Sequence, residues 1–224
     1  MRADHFCIDA PLAVDFESVA TRTSLLSRLR NVGDDASWRS FFESYWRLIY
    51  NVARKAGLKD PDAQDIVQET VIAVARKIPE FRYDPAKGSF KNWLLVITRR
   101  RIHDHLRRVY RSIPVIQAQT EQSWSDLAAE VCDCVSTDAQ LEEVWELEWR
   151  QNLFQGALAR VRHTVNPKHY QVFDCCVLQG LPTTKVANML GLSAAQVYLA
   201  KHRVSATVKR TVAELEAKSS RPPW

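Results

Sequence analysis

The apolar positions of this chain recur every three or four residues over most of its length, the spacing of amphipathic helices. A short helix is expected over Ser24–Arg30, where Leu25, Leu26 and Leu29 share a face. A longer one is expected over Ala36–Ala56, its Phe41, Phe42, Tyr45, Trp46, Ile49, Tyr50 and Ala53 forming an aromatic stripe that reads as core, with Gly57 as its stop. Asp60 can cap the next helix, Pro61 suits its first position, and Asp62 and Asp65 favour the positive helix end. That helix, Asp62–Ile78, turns Ile66, Val67, Thr70, Val71, Val74 and Ile78 inward and leaves Asp62, Asp65, Gln68, Glu69 and Ala73 on its other sides. Pro79 ends it. A loop then leads into an apolar run from Trp93 to Ile97, which continues as a helix through Arg99–Arg111.

Further on, Asp138–Val161 places Leu141, Val144, Trp145, Trp149, Leu153, Leu158 and Val161 on one side. Asn166-Pro167 starts a helix over Lys168–Gln179 with Val172, Phe173, Cys176 and Val177 inward, and Gly180 closes it. Pro182-Thr183-Thr184 opens a helix carrying Val186, Ala187, Met189 and Leu190, and Leu190-Gly191-Leu192-Ser193 makes a tight turn. Ser193 followed by Gln196 is a capping-box pattern for the last helix, which buries Val197, Ala200, Val204, Val208, Thr211, Val212 and Leu215. Two helices joined by a turn containing glycine, the second opening with polar and cationic residues, form a helix-turn-helix.

The fold class is therefore all-α: two small helical domains, 22–111 and 138–217, joined by a flexible acidic linker over 112–137. Residues 1–21 show no sustained periodicity and form a tail, as do 218–224. In the linker Ile113-Pro114 breaks the helix and Ser, Gln, Thr and acids dominate, with Trp124 and Leu127 as docking points.

Charge sharpens the picture through its distribution more than through its net value of +5. Residues 81–111 carry nine Lys/Arg against two acids, 113–149 carry nine acids and no base, and 150–218 sum to +7. Two basic blocks flanking an acidic one describe two modules that face nucleic acid. Within the first block, cations interleave with Phe81, Tyr83, Phe90 and Trp93, a composition suited to a phosphate backbone whose bases can also be stacked. Its arginines divide into two rows, Arg99, Arg100, His103, Arg107 and Arg111 on one side and Arg101, His105 and Arg108 on another. At most one row can face DNA along the helix, leaving the other to solvent.

Other chemistry finds little support. His103 and His105 flank Asp104, but at 100° per residue their rings point about 200° apart and cannot share a metal. Cys132-x-Cys134 lacks a second ligand pair, and Cys175-Cys176 read as small core residues. No nucleophile–base pair is evident, so no catalytic residue, metal or cofactor is assigned. Five irregularly spaced cysteines, an N-terminus punctuated by Asp4, Asp9, Asp15 and Glu17, and no apolar run near the ~18 residues of a membrane span point to the cytoplasm.

These residues resemble bacterial RNA polymerase sigma factors of the small, two-domain, extracytoplasmic-function type of the sigma-70 family. The first half is similar to sigma region 2, from Ser24-Leu25-Leu26 through Asp65-Ile66-Val67-Gln68-Glu69-Thr70 to Phe90-Lys91-Asn92-Trp93-Leu94 and Asp104-His105-Leu106-Arg107-Arg108. The second half is similar to region 4, through Val186-Ala187-Asn188-Met189-Leu190-Gly191-Leu192-Ser193 and Val197-Tyr198-Leu199-Ala200-Lys201-His202-Arg203-Val204. The resemblance covers about residues 22–216.

It implies that Asp65, Gln68 and Glu69 bind the β′ clamp helices of core polymerase. It further implies that Tyr83, Lys87, Phe90, Lys91, Trp93, Arg99, Arg100 and Arg107 hold the minus-ten element. Ser193, Gln196, Tyr198, Leu199, Lys201, His202 and Arg203 would meet the minus-thirty-five element, with the β flap as a second polymerase contact and an anti-sigma factor as a further partner. Three departures stand out: Arg100 replaces the family's usual Asn, Lys185 a frequent Glu, and Leu199-Ala200 residues that are commonly polar or basic. Such a recognition helix leans on duplex shape. The rival reading, a stand-alone helix-turn-helix regulator, leaves the Asp65/Gln68/Glu69 face and the aromatic loop without a task.

Overall fold

In the computed structural model the described residues are 23–81, 89–112 and 138–220, and among them every regular element is helical, as the periodicity predicts. In chain order these are α1 (Thr23–Leu29), α2 (Asp35–Lys55), α3 (Asp60–Lys77), α4 (Phe90–Ser112), α5 (Asp138–Thr164), α6 (Pro167–Phe173), α7 (Thr183–Leu190) and α8 (Ala194–Ser220). A π-helical turn, Asp174–Leu178, follows α6. The N-terminal tail, loop residues Tyr83 and Lys87, and the linker with Trp124, Leu127, Cys132 and Cys134 lie outside the described residues.

Local chemistry sets the helix ends. Asp34 caps α2, its carboxylate accepting from the Ser37 backbone N–H at 3.1 Å and the Ser37 hydroxyl at 2.8 Å. Gly57 follows α2 at φ 94°, a conformation that costs glycine nothing. At α3 the expected cap is displaced by one residue. Lys59 takes the capping position without a side-chain bond, and Asp60 is already helical, its carboxylate accepting from the Tyr50 hydroxyl and from Gln64 Nε2 at 2.8 Å. Asp60 thus ties α2 to α3.

The largest core joins α1–α4 to α5 and to Leu215 near the end of α8. Tyr45 of α2 stacks on Trp149 of α5, with centroids 5.9 Å apart and planes at 20°, and Trp145 lies beside Trp149 at 6.1 Å. Leu141, Trp145, Trp149 and Leu153 are all buried there. Burying a large apolar side chain contributes about 1.5–3 kcal/mol, so this face alone is enough to seat α5 on the first half of the chain. Beside it the carboxylate of Glu148 is also buried, held by Lys55 at 2.6 Å and Asn51 at 2.8 Å. Smaller clusters fill the second half, one between α6, α7 and α8 and one between α5, α6 and α8.

Several periodicity readings shift by one position. Phe42 is exposed and stacks on the half-buried Trp46, because the inward face of α2 runs through Phe41, Tyr45, Leu48, Ile49 and Val52. Ala73 is buried, not outward. Val177 and Met189 are exposed, Val177 because the π-helical turn rotates the end of its helix. Gly191 ends α7 in the left-handed region at φ 64°, making the corner of the helix-turn-helix. Beyond it the capping box closes: Ser193 N–H donates to Gln196 Oε1 at 2.9 Å, and Gln196 N–H donates to Ser193 Oγ at 3.2 Å.

Candidate functional site

The basic helix α4 presents three different surfaces. Leu94, Leu95, Ile97, Thr98 and Ile102 face the core, and Thr98 satisfies its hydroxyl on the Leu94 carbonyl at 2.9 Å. Asn92, Val96, Arg100 and Arg107 lie within about 80° of one another on the helix circumference, and all four are exposed. Among the described residues Arg100 and Arg107 make no ion pair, so this stripe offers two unspent guanidinium groups.

The flank next to that stripe is covered by α5. Lys91 Nζ sits 2.6 Å from the Glu146 carboxylate and 5.7 Å from the ring centroid of Trp149. Asp138, the first residue of α5, lies 3.5 Å from Arg99 and 3.4 Å from His103 Nε2. The His103 contact is too poorly directed to count as a hydrogen bond.

In the remaining row His105 and Arg108 reach acids of α3, Arg108 while staying exposed, and Arg101 turns to its own helix. Arg108 holds Glu69 at 2.7 Å, His105 stands 3.4 Å from Asp62, and Arg101 lies 3.7 Å from Asp104 on its own helix. Both arginines of this row thus lie within 4 Å of a carboxylate. His103 and His105 contact acids on different helices, as the ring geometry predicts, and among the described residues no three metal-ligating side chains converge.

The sequence-derived site residues separate accordingly. Phe90, expected beside the unpaired strand, is 2% exposed and packs in an aromatic cluster with Phe41, Tyr45, Phe81 and Trp93. It is a core residue here, because the helix begins at Phe90 itself and turns its first ring inward. Trp93 is half-buried, 4.5 Å from Phe81, and keeps part of its ring at the surface. Arg99 and Lys91 are engaged by α5, Arg100 and Arg107 make no ion pair among the described residues, and Tyr83 and Lys87 are not among the described residues.

On α3, Asp65 and Gln68 are exposed, and Glu69 is half-exposed and engaged by Arg108, whose guanidinium pKa the Glu69 carboxylate raises. Between α3 and α4 lies an open cleft of about 680 Å³, lined by Glu69, Ile72, Arg76, Arg101, Arg107 and Arg108.

On α8, Gln196, Tyr198, Leu199, His202 and Arg203 are exposed around the first turns, Tyr198 at 64% and Leu199 at 52%. Leu199, His202 and Arg203 share one face at i, i+3 and i+4. Ser193 Oγ and Gln196 Oε1 are spent on the capping box, which leaves the Gln196 amide nitrogen outward. Lys201 is half-buried on the flank near Cys176, whose thiol pKa is pushed up by burial against a lesser lowering from Lys201. Ala200 is buried, so its lack of a polar group costs nothing at the outer face.

Periodicity alone missed the partners Asp138, Glu146 and Glu148. Their signal was the block of nine acids set against the basic one before it.

Residues 41–112 match the family of sigma-70 region 2. No curated protein matches the chain. Among solved structures, an RsbN–BldN complex shares 17% identity over 83% of this chain and 97% of its own, with a TM-score of 0.32. CnrH in complex with the cytosolic domain of CnrY shares 19% identity over 87% of this chain and 97% of its own, with a TM-score of 0.33.

Proposed function

We propose that this chain, carrying sigma-70 region 2 over residues 41–112, is a dissociable initiation subunit that binds core RNA polymerase, directs it to particular promoters and helps open the minus-ten element. The family match over 41–112 is the observation that carries the reading, because it spans both the carboxylate face of α3 and the cationic stripe of α4. Asp65, Gln68 and Glu69 would take the β′ clamp helices, Glu69 by exchanging its Arg108 partner for one on the polymerase. Arg100 and Arg107 would neutralise strand phosphates, with Asn92 and Val96, nearer the start of α4 on the same face, meeting the bases. The exposed part of Trp93 is the described ring best placed to stack an extruded base, a contact worth about 1–3 kcal/mol.

The helix-turn-helix half would dock α8 in the major groove of the minus-thirty-five element, with Tyr198, Leu199, His202 and Arg203 leading and the β flap alongside. Leu199 offers an apolar contact of the kind that reads a thymine methyl. An anti-sigma factor would be the natural antagonist, and the work would take place in the cytoplasm with polymerase. Among the described residues no helix is long and apolar enough to cross a membrane.

Run-off transcription with core polymerase over a promoter library tests the proposal. The wild type should confer promoter-dependent initiation, and Asp65→Arg/Glu69→Arg should abolish core binding while leaving the fold intact. A wild type that neither binds core nor confers initiation would end the reading.

A further inference from the structure

The acidic face of α5 occupies the same cations that the reading above assigns to the promoter strand. In its first eleven residues α5 carries Asp138, Glu142, Glu143, Glu146 and Glu148 and no base. Asp138 takes Arg99 and His103, Glu146 takes Lys91, and Glu148 takes Lys55 and Asn51. Lys91 meets a carboxylate at 2.6 Å and an indole face at 5.7 Å together, and an anion beside a π-face is what a nucleotide offers a lysine. On the helix circumference Lys91 lies about 100° from Asn92, whereas Arg99 and His103 fall within about 20° of it, so α5 covers part of the surface that also carries the exposed Asn92, Val96, Arg100 and Arg107.

We propose that α5 is an intramolecular stand-in for the promoter strand, and that a nucleic-acid strand displaces Asp138 and Glu146 to reach Arg99, His103 and Lys91. This inference rests on the assignment of α4 to single-stranded promoter DNA. The docked state has a built-in weakness, because the indole N–H of Trp145 is fully buried without an acceptor among the described residues. Such an orphan donor lowers the cost of letting the helix move. In the free protein only a fraction of molecules has the full cationic surface uncovered, and apparent affinity for a strand falls by that fraction.

Anisotropy of a fluorescein-labelled random-sequence single-stranded oligonucleotide measures the effect on the full chain. Asp138→Asn/Glu146→Gln should bind about tenfold more tightly than the wild type, the factor expected where about one molecule in ten is open. Glu142→Gln/Glu143→Gln is the control, since it raises net charge equally at two exposed acids that make no ion pair among the described residues. It should change affinity about twofold or less, and thermal midpoints of both variants verify that they fold. Backbone amides of residues 138–149 should also lose exchange protection when the oligonucleotide is added to the wild type.

Equal gains in the two variants, which would mean net charge alone, or no gain in either, would overturn the proposal while core-dependent initiation by the wild type still stood. Absence of that initiation would remove the reading beneath it, and the proposal with it.

Discussion

Replacing Phe90 by Ala separates a packing role from a DNA-reading one at the start of α4. The ring is 2% exposed, with centroids of Phe41, Tyr45, Phe81 and Trp93 at 6.4, 5.7, 6.3 and 5.6 Å. A buried Phe→Ala change costs about 3–5 kcal/mol through lost transfer energy and the cavity left behind. For a chain of this size that should lower the melting temperature by about 6–20 °C. Phe90→Leu keeps most of the apolar volume and should cost only about 1–1.5 kcal/mol. Urea unfolding followed by far-UV circular dichroism reads the stability, and oligonucleotide anisotropy well below the transition reads strand binding. If packing is the role, Phe90→Leu binds the strand as the wild type does, and Phe90→Ala loses binding only as it unfolds. An unchanged urea midpoint in Phe90→Ala together with lost binding would refute this and return the ring to the DNA surface.

Two further outcomes follow from the charges. Lys55→Met leaves the buried Glu148 carboxylate with Asn51 alone, at a cost of about 1–3 kcal/mol in chemical denaturation. Lys55→Met/Glu148→Gln should recover most of that loss, whereas breaking the exposed Arg210–Glu214 pair should change stability by less than about 0.5 kcal/mol. At the start of α2, bonds from the Ser37 hydroxyl and N–H, then the nearby Arg28 guanidinium, hold the Asp34 pKa below its usual 3.8. A depressed carboxylate stabilises the fold above its unfolded value and loses that contribution as pH falls through its folded one. Acid titration of Asp34→Asn should therefore show a flatter loss of stability below about pH 4 than the wild type shows.

The helices were legible because their signals are local. Asp34 before the apolar run, Gly57 after it, and the reciprocal Ser193–Gln196 bonds can be read from residue types and spacing alone. Misreadings arose where the inward face of a helix was wider or narrower than an apolar stripe suggests. Phe42 and Met189 are apolar yet outward, and Ala73 is inward with little to mark it. Cationic side chains were the hardest to place, since a helical wheel sorts them into rows but cannot name their partners. His105 and Arg108 show no partner on a helical wheel because Asp62 and Glu69 lie far off in sequence, and only the packing of α3 on α4 brings these groups together. Phe90 shows the same limit in reverse: composition offers an aromatic beside cations, and tertiary packing places its ring in the core.

The grip of α5 on α4 consists of parts with unequal strength, and that inequality sets an order of release. Asp138 is 60% exposed and stands at the first turn of α5, where fraying breaks few backbone bonds. Its pair with Arg99 resembles a surface ion pair, worth about 0–1 kcal/mol. Glu146 lies two turns further in, where Trp145 and Trp149 anchor the helix to the core, so freeing Lys91 requires its own rotamer change or movement of a packed element. Arg100 and Arg107 make no ion pair with α5 or with any other described residue. An incoming strand would therefore meet Arg100 and Arg107 first, exchange Asp138 for phosphate at Arg99 next, and reach Lys91 last. Because Lys91 is also the cation set over Trp149, that last exchange removes one of the polar ties that seat α5 on the first half of the chain. If a strand does displace α5 as proposed, strand occupancy and loosening of α5 are linked, and each must favour the other by the same free energy.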